Sequence, residues 1–80
     1  MNTRHREIRA LLSSMSPKRA EQAVRLVGLP PYEETAVLAV DVHGQSCLQA
    51  AERLHVSVDT VKRLRRSAYR KLQGEIYTTR

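Results

Sequence analysis

The chain has 80 residues, enough for one small domain (1–80), and its single cysteine excludes an intramolecular disulfide. Hydrophobic residues make up 41% of the chain and its aromatic residues are three tyrosines, which predicts an aliphatic core and argues against disorder. The formal net charge of +6 favours a polyanionic partner, and no apolar run approaches the ~18 residues that a membrane span requires.

The first predicted helix covers residues 3–15. Its apolar residues recur at i, i+3, i+4 and i+7, the spacing of an amphipathic helix. They are Ile8, Leu11, Leu12 and Met15. This stripe either packs on the rest of the domain or docks on another protein or a second copy, and we prefer the interpretation that it completes the core.

The second predicted helix covers residues 17–27. Ser16 is a suitable N-cap, Pro17 suits the first helical position, and Gly28 ends the helix. One side of it is apolar, with Ala20, Val24 and Val27. Residues 1–28 are therefore predicted to form an N-terminal helical pair.

A stiff corner at Leu29-Pro30-Pro31 precedes the third predicted helix, residues 32–43. Glu33 and Glu34 favour a helix start there, because acidic side chains stabilise the positive end of the helix dipole. The residues that follow are apolar nearly all round, which predicts the central buried helix. We expect residues 29–80 to form a trihelical core.

Residues 46–73 have the pattern of a helix-turn-helix. Ser46 and Gln49 resemble a capping box at the start of the first helix. Ala51 lies where the two helices approach most closely, so a small side chain is required there. The fold class predicted by this pattern is all-α, a small bundle of about five helices with a C-terminal helix-turn-helix.

The turn and the start of the second helix also have specific residue requirements. His55 occupies a turn position that often needs a left-handed backbone, which histidine tolerates better than most residues. Ser57 can cap the second helix through its hydroxyl, and Asp59 suits the first turn.

A helical wheel of residues 58–73 separates an apolar side from a charged side. The core side contains Val61, Leu64, Ala68 and Leu72. The opposite side contains Asp59, Arg63, Arg66 and Arg70, flanked by Lys62 and Ser67. Arg65 lies near the core edge and is expected to extend to solvent, and Tyr69 lies at the boundary. Residues 51–80 have eight basic and three acidic side chains, a net charge of +5, so the positive charge is concentrated with this motif.

These side chains predict duplex DNA binding by the second helix in the major groove. Arg63 and Arg66 can each make bidentate contacts to guanine, and Asp59 can accept from the cytosine amino group. A second group is expected to contact the phosphate backbone and sets affinity more than sequence preference. It consists of Ser46, Gln49, Ser67, Arg70 and Lys71, with Lys62 beside them.

Two other interpretations are a solvated basic face and a protein-interaction module in which DNA contact is weak. An enzyme is not expected, and we assign no catalytic, cofactor-binding or metal-binding residues. The three histidines, His5, His43 and His55, lack the spacing of a metal site. Cys47 is interpreted as a tolerated small residue at a helix start.

Residues 17–73 resemble the C-terminal domain of bacterial sigma factors, often called region four. The resemblance rests on the Leu29-Pro30 corner, on the small residues of the first motif helix, and on the second motif helix with its ending. The matching positions are Gly44, Ser46, Ala50 and Ala51, then Val56 to Lys62 and Ala68 to Leu72. DNA-binding domains of LuxR-type regulators share much of this pattern.

The resemblance implies a role in bacterial transcription. It implies that the recognition helix reads the −35 promoter element and that another surface docks on the flap of the RNA polymerase β subunit or on an anti-sigma-like protein. The base-facing positions carried over are Val58, Asp59, Lys62, Arg63 and Arg66. No counterpart of the domain that melts the −10 element is found. We therefore expect an excised domain, a stand-alone regulator or half of a split sigma factor, cytoplasmic and nucleoid-associated, as a monomer or homodimer, with no cofactor.

Overall fold

The computed structural model describes the backbone of residues 3–78 and the side chains of residues 6–74. Within that part of the chain there are five helices and no strand. They are α1 (Thr3–Ser14), α2 (Pro17–Val27), α3 (Pro31–Val37, continued directly by a π-helical turn, Leu38–Val42), α4 (Cys47–Leu54) and α5 (Val58–Thr78). The predicted all-α fold with a C-terminal helix-turn-helix is confirmed.

Serine side chains begin three of the helices, as their positions predict. The Ser16 hydroxyl accepts from the backbone N–H of the third residue of α2. Ser46 and Gln49 form a reciprocal capping box at α4, with distances of 3.1 and 2.9 Å. The Ser57 hydroxyl accepts from the Thr60 N–H at 3.1 Å. Each bond satisfies a backbone donor that has no acceptor within its helix.

Left-handed backbone conformations end α2 and α4, and a third one follows the π-helical turn. Gly28 has a φ of 75° and Gly44 a φ of 70°. His55 has a φ of 59°, so this non-glycine residue adopts the left-handed conformation that its turn position predicts. This conformation turns the chain sharply between α4 and α5.

Two helix ends differ from the sequence prediction. The third helix finishes as a π-helical turn, in which the His43 N–H bonds to the Leu38 carbonyl at 2.9 Å. The last helix was expected to end at residue 73 but continues through Gly74 to Thr78. Gly74 keeps a negative φ, and a glycine inside a helix costs only about 1 kcal/mol relative to alanine.

The core consists of two apolar clusters that share α3 and α5. One joins α3 and α5 to α1 and α2, and the other joins them to α4. Ile8 and Leu12 are buried in the first cluster, so α1 packs on the domain. Leu11 is exposed, which makes the apolar stripe of α1 narrower than predicted. Because α5 belongs to both clusters, its buried side is fixed by four other helices.

Candidate nucleic-acid interface

The solvent-facing side of α5 is charged. Val61, Ala68 and Leu72 are buried, which turns the other side of this helix outward. All five charged residues that the helical wheel placed there are exposed: Asp59, Lys62, Arg63, Arg66 and Arg70. The wheel therefore separated the two sides of α5 correctly.

The basic side chains on this face have no internal partner among the described side chains of residues 6–74. Lys62, Arg63, Arg66 and Arg70 make neither an ion pair nor a side-chain hydrogen bond there. They can therefore meet phosphates or base edges without first breaking a bond within the domain.

The start of α4 presents two further polar groups beside the turn. Ser46 and Gln49 are both exposed. The capping box uses the Ser46 oxygen and the Gln49 carbonyl as acceptors, so the Ser46 O–H and the Gln49 NH₂ remain donors. These donors are available to a phosphate, and the phosphate contacts of Ser46 and Gln49 stay predictions. Val58, at the first position of α5, is half-buried against the second cluster.

Arg65 does not extend to solvent, and that prediction is wrong. Its Nε donates to Asp41 Oδ2 at 3.1 Å and its Nη2 to Asp41 Oδ1 at 2.8 Å. The two side chains are 13% and 4% exposed. Asp41 is the one acid in the otherwise apolar segment of residues 36–42, and its buried charge requires a partner, which Arg65 supplies from the core edge of α5.

Tyr69 closes this ion pair into a triad, which we call the Asp41 triad (Asp41, Arg65 and Tyr69). The phenol donates to Asp41 Oδ1 at 2.7 Å and accepts from Arg65 Nη2 at 2.6 Å. The guanidinium carbon also lies 5.5 Å from the centroid of the ring. Arg9 of α1 approaches the same carboxylate, with its Nε 3.8 Å from Oδ1.

The neighbouring Asp41 carboxylate keeps both of its partners, Tyr69 and Arg65, protonated. Burial, followed by the hydrogen bond and charge of Asp41, raises the pKa of the Tyr69 phenol above its ordinary value. For Arg65, burial opposes the charge, but the hydrogen bonds and charge of Asp41 outweigh it and raise the pKa of the guanidinium. Arg65 and Tyr69 therefore both keep their protons across the physiological pH range.

A second carboxylate holds α5 from the first turn of α3. Glu33 is buried and accepts from the Ser67 hydroxyl at 3.1 Å. Lys71 Nζ donates to both of its carboxylate oxygens at 3.0 Å. Ser67 and Lys71, both predicted to contact phosphate, thus have an internal partner, and Lys71 would share its charge between Glu33 and DNA. Their phosphate contacts stay predictions.

Sequence reasoning missed Asp41 and Glu33 as partners of α5. Asp41 carried a signal, because a single acid within the apolar segment of residues 36–42 needs a cation if that segment is buried. Arg65 and Tyr69 have the i, i+4 spacing of neighbours on one helix face. Glu33 carried no such signal, since an acid in the first turn of a helix is already explained by the helix dipole.

A cleft between α2, α3 and α4 contains charges of both signs, several of which pair with one another. Arg25 lies 3.2 Å from Glu21 and 3.6 Å from Glu34, and His43 lies 3.4 Å from Glu21. Arg53 also lines the cleft and makes no ion pair with another described side chain, so the cleft has one unpaired cation, whereas the α5 face has four. Among the described residues, no group of three or more His, Cys, Asp or Glu side chains is placed to hold a metal ion, and no helix is long and apolar enough to cross a membrane.

Residues 24–72 match the family model of sigma-70, region 4. The chain belongs to this family. The matched range contains α3, α4, the turn and the exposed basic face of α5, and it leaves α1 outside. No significant match was found among curated proteins or among solved structures.

Membership in the family assigns a general role to the helix-turn-helix. Sigma-70 region 4 domains are DNA-binding domains of transcription, and the family interacts in general with DNA and with RNA polymerase. The exposed basic face described above lies on the second helix of the motif, where this class of domain contacts the major groove.

Proposed function

We propose that this chain binds duplex DNA sequence-specifically in bacterial transcription and reads a promoter-like site through α5. The observation that supports this function best is the exposed face of α5, on which four basic side chains lack a partner among the described side chains. A face that served only for solubility would not need to coincide with the second helix of a helix-turn-helix. Such a role places the protein on the nucleoid, in the cytoplasm.

The base-reading group consists of four exposed side chains near the start of α5 and the half-buried Val58. Arg63 and Arg66 each have a guanidinium fork with no partner among the described side chains, and this fork matches O6 and N7 of guanine, a contact worth about 1–3 kcal/mol of discrimination. Asp59 accepts from a cytosine amino group. The remaining members are Val58, whose methyl groups suit an apolar base edge, and Lys62.

The phosphate-contacting group surrounds these residues. Arg70 lies further along the exposed side of α5 and has no internal partner among residues 6–74, so we expect it to contribute most. Ser46 and Gln49 donate from the start of α4. Ser67 and Lys71 contribute less because Glu33 already holds them.

Two matched variants test this assignment after a bound sequence has been selected from random duplex DNA. Arg63→Ala and Arg70→Ala remove the same side chain from the same helix. Arg63→Ala should reduce the preference for the selected site. Arg70→Ala should weaken binding to all duplexes by the same factor and should reduce the slope of log K against log salt concentration by about 0.9. If both variants keep the wild-type preference and affinity, α5 does not read DNA through this face.

RNA polymerase is the second partner that we propose, because sigma-70 region 4 domains interact in general with RNA polymerase. Leu26 on α2 is 86% exposed and Tyr32 at the start of α3 is 55% exposed, and both lie outside α5. Leu26 is therefore a suitable position at which to test for a polymerase contact that is separate from the DNA-binding face. Leu26→Ser should weaken binding to purified bacterial RNA polymerase and leave DNA affinity unchanged.

The alternative function is an interaction module of the same fold that binds polymerase, an anti-sigma-like protein or a second copy and binds DNA weakly. A gel shift with random and promoter duplexes at low salt, beside light scattering for molecular mass, separates the two. Low affinity for every duplex, together with retained polymerase binding or self-association, would favour the interaction module.

A further inference from the structure

On the buried side of α5, polar side chains that bond to α3 lie on both flanks of the apolar stripe. On a helical wheel of about 100° per residue, Arg65 and Tyr69 lie roughly 60° to one side of the stripe formed by Val61, Ala68 and Leu72. Ser67 and Lys71 lie roughly 100° to the other side. The side chains of the first flank bond to the Asp41 carboxylate, and those of the second flank bond to the Glu33 carboxylate.

The π-helical turn of α3 helps to bring both carboxylates to α5. In an unbroken α-helix, Asp41 would lie about 80° around the axis from Glu33. The turn from Leu38 to Val42 has i→i+5 bonding, so each residue in it rotates less and this angle decreases. Asp41 is thereby brought towards the side of α3 from which Glu33 contacts α5.

Apolar packing alone does not define the rotation of a helix closely, because burial of apolar area is not directional. A rotation of about 20° moves a side-chain tip at a radius of about 6 Å by about 2 Å. Such a shift exceeds what a bidentate contact to a base tolerates. Charge-assisted bonds to a planar guanidinium are directional, and the Asp41 triad contains two of them in parallel.

We propose that Asp41, Arg65 and Tyr69 are positioning residues for DNA recognition, which fix the rotation of α5 and so determine where Arg63 and Arg66 meet the bases. The inference rests on the proposed function. The three residues do not touch DNA: Asp41 and Tyr69 are buried, and the Arg65 guanidinium is bonded to both. They act on the sequence preference through the geometry of the helix.

An apolar triple variant, Asp41→Leu with Arg65→Met and Tyr69→Phe, separates positioning from stability. It removes one negative and one positive charge, so the net charge of the chain is unchanged. Replacing a whole buried ion-paired group with apolar side chains often leaves stability equal or higher. The melting temperature should therefore match or exceed that of the wild type.

The decisive measurement is the ratio of affinities for the selected site and for a random duplex, taken with the full chain. We expect the triple variant to lose about tenfold or more in this ratio, the equivalent of one good base contact. Its affinity for the random duplex should stay within about twofold of the wild type, because net charge sets non-specific binding. An unchanged ratio overturns the inference, including the case in which both affinities fall by the same factor.

Arg65→Lys provides a second variant that keeps the charge and loses the planar fork. It decides the question if the triple variant does not fold: a lower affinity ratio supports positioning, and an unchanged ratio overturns it. A wild-type chain that binds all duplexes alike overturns the proposed function itself. That failure is visible before any variant is made, so the two failures are distinguishable.

Discussion

Arg65 and Arg66 are adjacent residues of α5 with opposite environments. The Arg65 guanidinium is enclosed by Asp41 and Tyr69, whereas Arg66 is exposed and has no partner among the described side chains. A buried charge that is already paired adds little to DNA affinity, whereas an exposed and unpaired charge can add more. The six basic residues of this helix therefore do not form one surface: some orient the helix, and others face the solvent where DNA would lie.

The largest expected effect is on the buried side. Asp41→Ala removes the carboxylate and leaves the Arg65 charge buried without compensation, which should lower the free energy of unfolding by about 3–5 kcal/mol. Urea denaturation measures this change. Glu52→Ala, which removes an exposed acid from α4, is the control and should stay within about 0.5 kcal/mol. Equal effects of the two variants would remove the distinction between buried and exposed charges.

Glu33→Ala tests the other flank of α5 with a smaller effect. Loss of its hydrogen bonds to Ser67 and Lys71 should cost about 2 kcal/mol of stability. The same change releases Lys71 for phosphate and removes a negative charge beside the basic face. The affinity for random duplexes at low salt should consequently rise. A fall in that affinity would show that Lys71 needs Glu33 in order to be placed for DNA.

Alkaline pH tests the hydrogen bonding of Tyr69. Its pKa is raised in the folded state, so the unfolded chain loses this proton first and the free energy of unfolding falls as the pH rises. The loss should begin near the unfolded pKa of about 10 and amount to about 1.4 kcal/mol per pH unit. Denaturation of the wild type and Tyr69→Phe between about pH 9 and 11 measures it. The variant, with its other tyrosines unchanged, should show a shallower decline; parallel curves would contradict the assignment.

The smallest stability effect is expected on the exposed side. Arg66→Ala should change the free energy of unfolding by no more than about 0.5 kcal/mol, because nothing in the described part of the domain bonds to this side chain. Its effect should be on DNA preference instead. A stability loss close to that of Asp41→Ala would mean that Arg66 has a structural partner and does not belong to the base-reading group.

The features predicted correctly depend on local chemistry. Ser16, Ser46 and Ser57 bond to backbone N–H groups three residues away, and His55 adopts the left-handed conformation that its turn requires. These interactions span few residues, so the order of residues along the chain is enough to predict them. The wheel separated the two sides of α5 for the same reason, because periodicity is a local property.

The two ion pairs that sequence reasoning missed join residues that are distant along the chain. Arg65 and Asp41 are separated by 24 residues, and Lys71 and Glu33 by 38. Periodicity placed Arg65 at the core edge of α5 but contained no information on which residue of another helix would lie against it. A long basic side chain at an edge usually reaches solvent, and only the presence of a buried carboxylate turned it inward.

The sequence by itself determined the five helices of the described residues, the serine caps of three of them, the helix-turn-helix and the exposed face of α5. Tertiary structure alone decided which basic side chains of that helix are paired within the domain. The physical reason is that helices and caps arise from neighbours within one or two turns, whereas an ion pair depends on which helices pack together and at what rotation. For α5 that rotation depends on the π-helical turn that brings Asp41 to Arg65 and Tyr69.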